Sequence, residues 1–176
     1  MFTSGSTGRP KGSLSSHRAV VGTVTGQDFV DFGPDQVWLQ AAPVSWDAAA
    51  LEFWGALLNG ATCVLQPGQR PEPDRIAELV ARHRVTTLWL SAGLFNLMLD
   101  EYPDTLAAVR QVITGGEAPS VEHLARARHR LPGVRLVHGY GPVESMIFTN
   151  CHPIDEPPRR APVPVPSRPS ILPCNA

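Results

Sequence analysis

The 176-residue sequence predicts an α/β protein, a mostly parallel sheet with helices on both faces. Short apolar runs recur between segments with helical spacing. Glycine, proline and asparagine fall at the joints between them. A composition of 43% hydrophobic and 18% charged residues suits a packed core rather than a disordered chain. The length fits one domain, and no internal repeat is present.

The elements follow in order. A glycine-rich turn from Gly5 to Gly12 leads into a helix from about Ser16 through the Val20–Thr25 region. Val37–Ala41 is a short apolar run and predicts a buried strand. Ala48–Leu58 predicts a helix with Leu51, Trp54, Leu57 and Leu58 as its apolar face and Asn59-Gly60 as its stop. Strand Ala61–Leu65 precedes helix Glu72–His83, which has Ile76, Leu79 and Val80 on one face and Asp74 near its start. Then come strand Thr86–Leu90, helix Leu94–Glu101, strand Val109–Thr114, helix Ser120–Arg130 and strand Val134–His138. In such sheets ligands sit beyond the carboxyl ends of the strands.

Bulk properties exclude several classes. A net charge of -1 gives no electrostatic case for nucleic acid or an anionic membrane. No apolar run approaches the roughly 20 residues that span a bilayer, and the start, MFTSGSTGRP, lacks the apolar stretch of a secretory signal. Cys63, Cys151 and Cys174 show no paired spacing, so neither a disulfide framework nor a zinc site is expected, and a reducing cytoplasm is the expected setting. Eight of the 18 prolines fall between Pro153 and Pro173. Proline removes donors and fixes φ, so residues 1–152 are read as the domain and 153–176 as an extended or disordered tail.

Four segments carry chemistry. The first is Thr3-Ser4-Gly5-Ser6-Thr7-Gly8-Arg9-Pro10-Lys11-Gly12. Glycines let backbone amides approach an anion, the hydroxyls of Thr3, Ser4, Ser6 and Thr7 add donors, and Lys11 adds charge. That is the chemistry of a triphosphate cradle, although the spacing is not that of a P-loop and a flexible Gly/Ser linker has the same composition. The second is His138-Gly139-Tyr140-Gly141-Pro142-Val143-Glu144-Ser145, a tight turn after a strand. Its tyrosine can stack on a purine and its glutamate can hold Mg²⁺ between phosphates; an ordinary strand-end turn is the alternative. The third, Thr114-Gly115-Gly116-Glu117-Ala118, permits close approach of a flat base, with Glu117 otherwise a solvated helix-start charge. The fourth is Val44-Ser45-Trp46-Asp47-Ala48, where Asp47 alone reads as a helix N-cap.

Together these strings resemble the adenylate-forming superfamily. TSGSTGRPKG is similar throughout to its phosphate-loop signature, and Tyr140-Gly-Pro-Val-Glu144 to its Tyr-Gly-Pro-Thr-Glu motif. The sequence departs from the pattern at Val143, which removes one hydroxyl expected near the α-phosphate. Ser45-Trp46-Asp47-Ala48 resembles the Phe-Asp-Ala-Ser segment of members that activate amino acids, the adenylation domains of nonribosomal peptide synthetases. The resemblance implies part of the large N-terminal domain of such an enzyme. It implies ATP and Mg²⁺ as cofactors, and activation of an amino acid as aminoacyl-AMP for a carrier-protein thiol bearing phosphopantetheine.

The residue roles it implies are as follows. Thr3, Ser4, Gly5, Ser6, Thr7, Gly8 and Lys11 would hold the phosphates. Gly115, Gly116, Glu117, Tyr140 and Gly141 would flank adenine, and Glu144 would bind the metal. Asp47 would pair with the substrate ammonium, and Ala48, Leu51, Trp89, Ile113, Gly115, Gly139, Ile147 and Phe148 would line the side-chain pocket. Only Asp47 among these pocket residues ionises, so a small aliphatic, valine-like substrate is expected. A peptidyl carrier domain and a condensation domain are the implied partners, with no nucleic acid and no membrane. The resemblance covers about Phe2 to Thr149 and lacks the C-terminal lysine of the family, so the catalytic group is unassigned. These residues alone are expected to be inactive, as a truncated gene, a frameshift or a partial clone would leave them. An acyl- or aryl-CoA ligase piece and a non-catalytic nucleotide-binding remnant are the alternatives.

Overall fold

In a computed structural model the described residues are 1–3, 9, 11–68 and 70–155. The element order is β1 (Phe2–Thr3), β2 (Lys11–Gly12), α1 (His17–Val24), β3 (Val37–Gln40), α2 (Asp47–Leu57), β4 (Thr62–Leu65), α3 (Pro73–His83), β5 (Thr87–Ser91), α4 (Ala92–Glu101), α5 (Pro103–Ala107), β6 (Gln111–Gly115), α6 (Val121–Arg130), β7 (Arg135–Tyr140) and β8 (Asn150–Pro153). Serine hydroxyls set several helix starts. Ser16, Ser91 and Ser120 accept the amides of Ala19, Leu94 and His123 at the heads of α1, α4 and α6. Helix α3 starts with Pro73 and an acidic Asp74 and ends with Arg82 and His83, which suits the helix dipole at both ends.

The main sheet has the order β4-β3-β5-β6-β7-β8. All pairings are parallel except β7 with β8. Chain order reverses at β3: β4 lies on one side of it, and β5 with all later strands on the other. That makes the β3/β5 junction the switch point of the sheet. There the ladder is a single registered pair, Trp38 opposite Thr87, whereas β5 and β6 pair from Thr87/Gln111 through Ser91/Gly115. The carboxyl ends of β3 and β5 are therefore not tied to each other by a continuing ladder.

Alternation along the strands divides the core in two. Leu39, Leu88, Leu90, Val112 and Leu136 pack with α3, α4, α5 and α6. Trp38, Trp89, Ile113 and Val137 pack with α1 and α2, on the opposite face. The short hairpin of β1 and β2 joins this second core through Met1, whose amino group donates to the Ser13 carbonyl at 3.0 Å. Among the described residues no helix is long and apolar enough to cross a membrane.

Most expected elements are present within one or two residues. Helix α2 buries a different face from the one expected. Leu51 is buried, but Trp54, Leu57 and Leu58 are exposed, and Ala48, Ala49, Glu52, Gly55 and Ala56 face inward. The reason is steric: a Cβ on Gly55 would lie 3.2–3.3 Å from the rings of Phe32 and Trp38, so only a small-residue stripe lets the helix sit this close. Helix α5 and strand β8 were not expected. Pro153 ends β8 opposite Val137, and Ile154 is buried beyond it. The proline-rich stretch from residue 156 lies outside the described residues.

A buried polar network closes the amino ends of the strands. Gln111 Nε2 donates to the Asp31 carbonyl at 2.6 Å and to Thr87 Oγ1 at 2.7 Å, while its Oε1 accepts the Asp31 amide at 2.9 Å. Gln36 donates to the Asp31 carboxylate and accepts from Thr86. This clamps the 26–36 connection beneath β5 and β6. Replacing Gln111 with Ala removes three hydrogen bonds and the packing of a buried side chain and is expected to destabilise by about 1–3 kcal/mol, read from urea unfolding.

Candidate functional site

Asp47 is the first residue of α2, the helix that follows β3, and Trp46 rather than Asp47 occupies the N-cap position. Its half-buried carboxyl is held above the usual range by burial, opposed by the amides of Ala48 and Ile147, which point at it. Ile147 reaches it from a chain segment one hundred residues on, just after the 3₁₀ turn Val143–Ser145. Both Met146 and Ile147 have left-handed backbone, with φ 59° and 70°. Such values are outliers for a β-branched residue and mark a backbone held by its surroundings.

Around Asp47 lie the side chains that the sequence singled out for a pocket. Ala48 and Leu51 on α2, Trp89 on β5, Ile113 on β6 and Ile147 are buried in the second core, with Phe148 packed against it. Gly115 and Gly139 are registered opposite each other on β6 and β7, on the same face. A Cβ on Gly115 would be driven into the Gly139 carbonyl oxygen, and one on Gly139 into the Phe148 ring. Phe148 in turn meets Phe29 edge-on at 5.9 Å. All the expected pocket residues therefore share one face, and Asp47 alone among them ionises.

The other expected residues are spread around this group. Gly116 backs onto Trp89, whose ring lies 4.0 Å from the position of an added Cβ, and the Glu117 carboxylate lies near Gly93 at the start of α4. Tyr140 ends β7 with 54% of its surface exposed, one residue out of phase with Gly139 and so on the opposite face. Gly141 is fitted tightly, since a Cβ there would meet the Ile147 carbonyl at 2.5 Å. Glu144 is exposed in the 3₁₀ turn. Lys11 is exposed on β2, paired with Thr3. Ser4, Gly5, Ser6, Thr7 and Gly8 lie outside the described residues, and Thr3 lies in β1.

Two residues escaped sequence reasoning. Trp46 stands half-exposed beside Asp47 and meets Trp89 edge-on, with centroids 6.5 Å apart. Glu52, on α2, is 0% exposed. Its carboxylate accepts the amide of Ala41 at 3.2 Å and that of Ala42 at 3.1 and 3.2 Å. An acidic residue inside a stripe of alanine and glycine was the available signal, hidden because the leucine-rich face looked like the buried one.

Burial pushes the Glu52 carboxyl up to about 8, with the two amides opposing the rise. Between its ordinary value of 4.5 and about 8 the folded protein holds a proton that the unfolded chain releases. The contribution is full below the ordinary value and is lost as pH rises through the folded one. Burial of His138 lowers its pKa and acts in the opposite sense, losing stability as pH falls. The Glu52→Gln variant shares the His138 contribution, so relative to it the wild-type Tm is expected to fall as pH rises from about 5 to about 8. The glycine pair gives a second test. Gly115→Ala forces a methyl into the β7 backbone and is expected to destabilise by about 3 kcal/mol in thermal or urea melts.

The family model described as AMP-binding enzyme matches residues 1–173. One of the linear gramicidin synthase proteins of Brevibacillus parabrevis is 48% identical over 156 residues, 89% of this chain and 2% of that protein. Tyrocidine synthase 3 of Brevibacillus parabrevis is 34% identical over 157 residues, 89% of this chain and 2% of that protein. Among solved structures, PA1221, described as an NRPS protein containing adenylation and PCP domains, superposes with a TM-score of 0.82 at 42% identity, covering 89% of this chain and 32% of that one. The Klebsiella oxytoca NpsA N-terminal subdomain gives 0.85 at 29% identity, covering 95% of this chain and 43% of that one. The chain thus spans a few per cent of the synthetases it matches and under half of the solved subdomain. It belongs to the AMP-binding enzyme family, among the adenylation domains of nonribosomal peptide synthetases.

Proposed function

We propose that this chain serves ATP-dependent activation of a small aliphatic, valine-like amino acid as aminoacyl-AMP, for loading onto a carrier-protein thiol. One observation carries the reading: a single half-buried carboxylate, Asp47, stands at the head of an otherwise apolar set of side chains. An ammonium group placed there gains a charge-assisted hydrogen bond, whereas a charged substrate side chain deeper in would be left unpaired. Trp89, Ile113 and Phe148 fill volume, with the Phe148 ring lying over Gly139, which favours a short branched side chain.

The nucleotide roles rest on the motif positions. Tyr140 offers an exposed ring for adenine, with Gly115 and Gly116 across the β6 and β7 ends, and Thr3, Ser4, Gly5, Ser6, Thr7, Gly8 and Lys11 are assigned to the phosphates. The donor set suits Mg²⁺ held mostly by phosphates. Glu144 is one exposed carboxylate, and no group of three or more His, Cys, Asp or Glu side chains gathers among the described residues. Bound there, the ion would neutralise charge on the phosphates. The residues of this chain orient the carboxylate, hold the ammonium and exclude water from the apolar wall. A carrier domain with its phosphopantetheine is the proposed acceptor, in keeping with the adenylation–PCP arrangement of PA1221, and a condensation domain the proposed neighbour. In these 176 residues alone the reading predicts binding without appreciable turnover.

A second reading has one observation in its favour. NpsA, at 29% identity, is solved with 3-hydroxybenzoyl-AMSN, an aryl analogue that lacks an amine beside its carbonyl. Asp47 separates the two. Asp47→Ala is expected to weaken binding of valyl-sulfamoyl-adenosine by about 10–100-fold in calorimetry, the worth of a charge-assisted hydrogen bond. An unchanged affinity would turn the assignment towards an acyl or aryl acid.

A further inference from the structure

We propose that Glu52 is a positioning residue for recognition of the substrate amine: from within the core it fixes the β3–α2 connection and thereby sets where Asp47 stands. This rests on the role of Asp47 proposed above. Strand β3 ends at Gln40 and α2 begins at Asp47, so the chain between them, residues 41–46, decides how the helix start meets the sheet. On the β4 side the end of β3 is tied by Gln40/Leu65 and by the Gln66 amide on the Gln40 carbonyl, at 2.9 Å. On the β5 side the ladder stops at Trp38/Thr87, and the buried amides of Ala41 and Ala42 turn instead to the Glu52 carboxylate.

Glu52 and Asp47 belong to one helix, five residues apart, and a helix of this length moves as a unit. Anchoring Glu52 to the end of β3 therefore fixes both ends of the connection and the helix start it leads to. An alanine at 52 would leave two buried amides without acceptors, and they regain partners only if residues 41–46 shift. Burial, which favours the neutral acid, leaves an oxygen lone pair for these amides in either protonation state. Cys63 adds the neighbouring contact from β4: its thiol lies 3.8 Å from the Glu52 carbonyl oxygen, and its own pKa is raised to about 11.

The test uses the whole 176-residue chain and two probes, valyl-sulfamoyl-adenosine and its des-amino counterpart, isovaleryl-sulfamoyl-adenosine, titrated by calorimetry. Wild type is expected to prefer the amine by about 10-fold or more, and Asp47→Ala to lose that preference. Glu52→Ala should lose most of the preference while its affinity for the des-amino probe stays within about 3-fold of wild type. Glu52→Gln, which keeps one acceptor oxygen for Ala41 and Ala42, should retain an intermediate preference. Equal weakening towards both probes would mark Glu52 as structural only and overturn the proposal, as would an unchanged preference in Glu52→Ala. Should Glu52→Ala not fold, Glu52→Gln decides alone: a reduced preference with intact des-amino affinity supports the role, and any other pattern rejects it. A wild type that binds neither probe, or both equally, defeats the assignment of Asp47 itself, and this inference with it.

Discussion

The site depends on what β3 does after Trp38. At that point the strand stops pairing with β5, although it continues beside β4, so the sheet opens at the place where its strand order reverses. An open switch point gives ligands room, but it also strands backbone donors inside the protein. The fold answers with a carboxylate from the helix that follows. Glu52 takes the amides that the missing ladder would have used, and the same helix presents Asp47 at the opening.

Rigidity on the far side of the opening comes from a different source. Strands β5, β6 and β7 stay in register to their carboxyl ends, where Gly115 faces Gly139 with no room for a side chain on either. Phe148 covers the glycine of β7, and Phe29 braces Phe148. The apolar wall is thus built from backbone and aromatic rings, which adjust little. Asp47 faces it from a helix whose own contact with the sheet, through Gly55 on Trp38, is equally close.

Much of this was legible in the sequence. Helices α3 and α6 announce themselves through caps, charged ends and periodic apolar residues, and the parallel strands through their apolar runs. Helix α2 did not, because leucines usually mark the buried side, and here alanine and glycine do. Strand β8 was hidden by its short length and by Pro153, which an edge strand tolerates and an interior strand does not. The expected pocket residues came from resemblance to family motifs, and the common face of Trp89, Ile113, Gly115 and Gly139 follows from strand parity. The small-residue stripe could have flagged Glu52 as buried, but not its role, which is set by amides at the end of another element. Residues Ser4 to Gly8, expected from the sequence to hold phosphates, lie outside the described residues.

The left-handed turn at Met146 and Ile147 bears on which residues can replace them. A non-glycine residue in that conformation is disfavoured by about 1–2 kcal/mol, most severely when it branches at Cβ. Glycine and asparagine tolerate it readily, so exchange of Ile147 for either relaxes the backbone while it enlarges or wets the wall beside Asp47. Exchanges among bulky aliphatics bring no such relief. Exchange at this position is therefore weighed by main-chain torsion as well as by side-chain volume, and the least strained replacements are the ones that take an aliphatic side chain away.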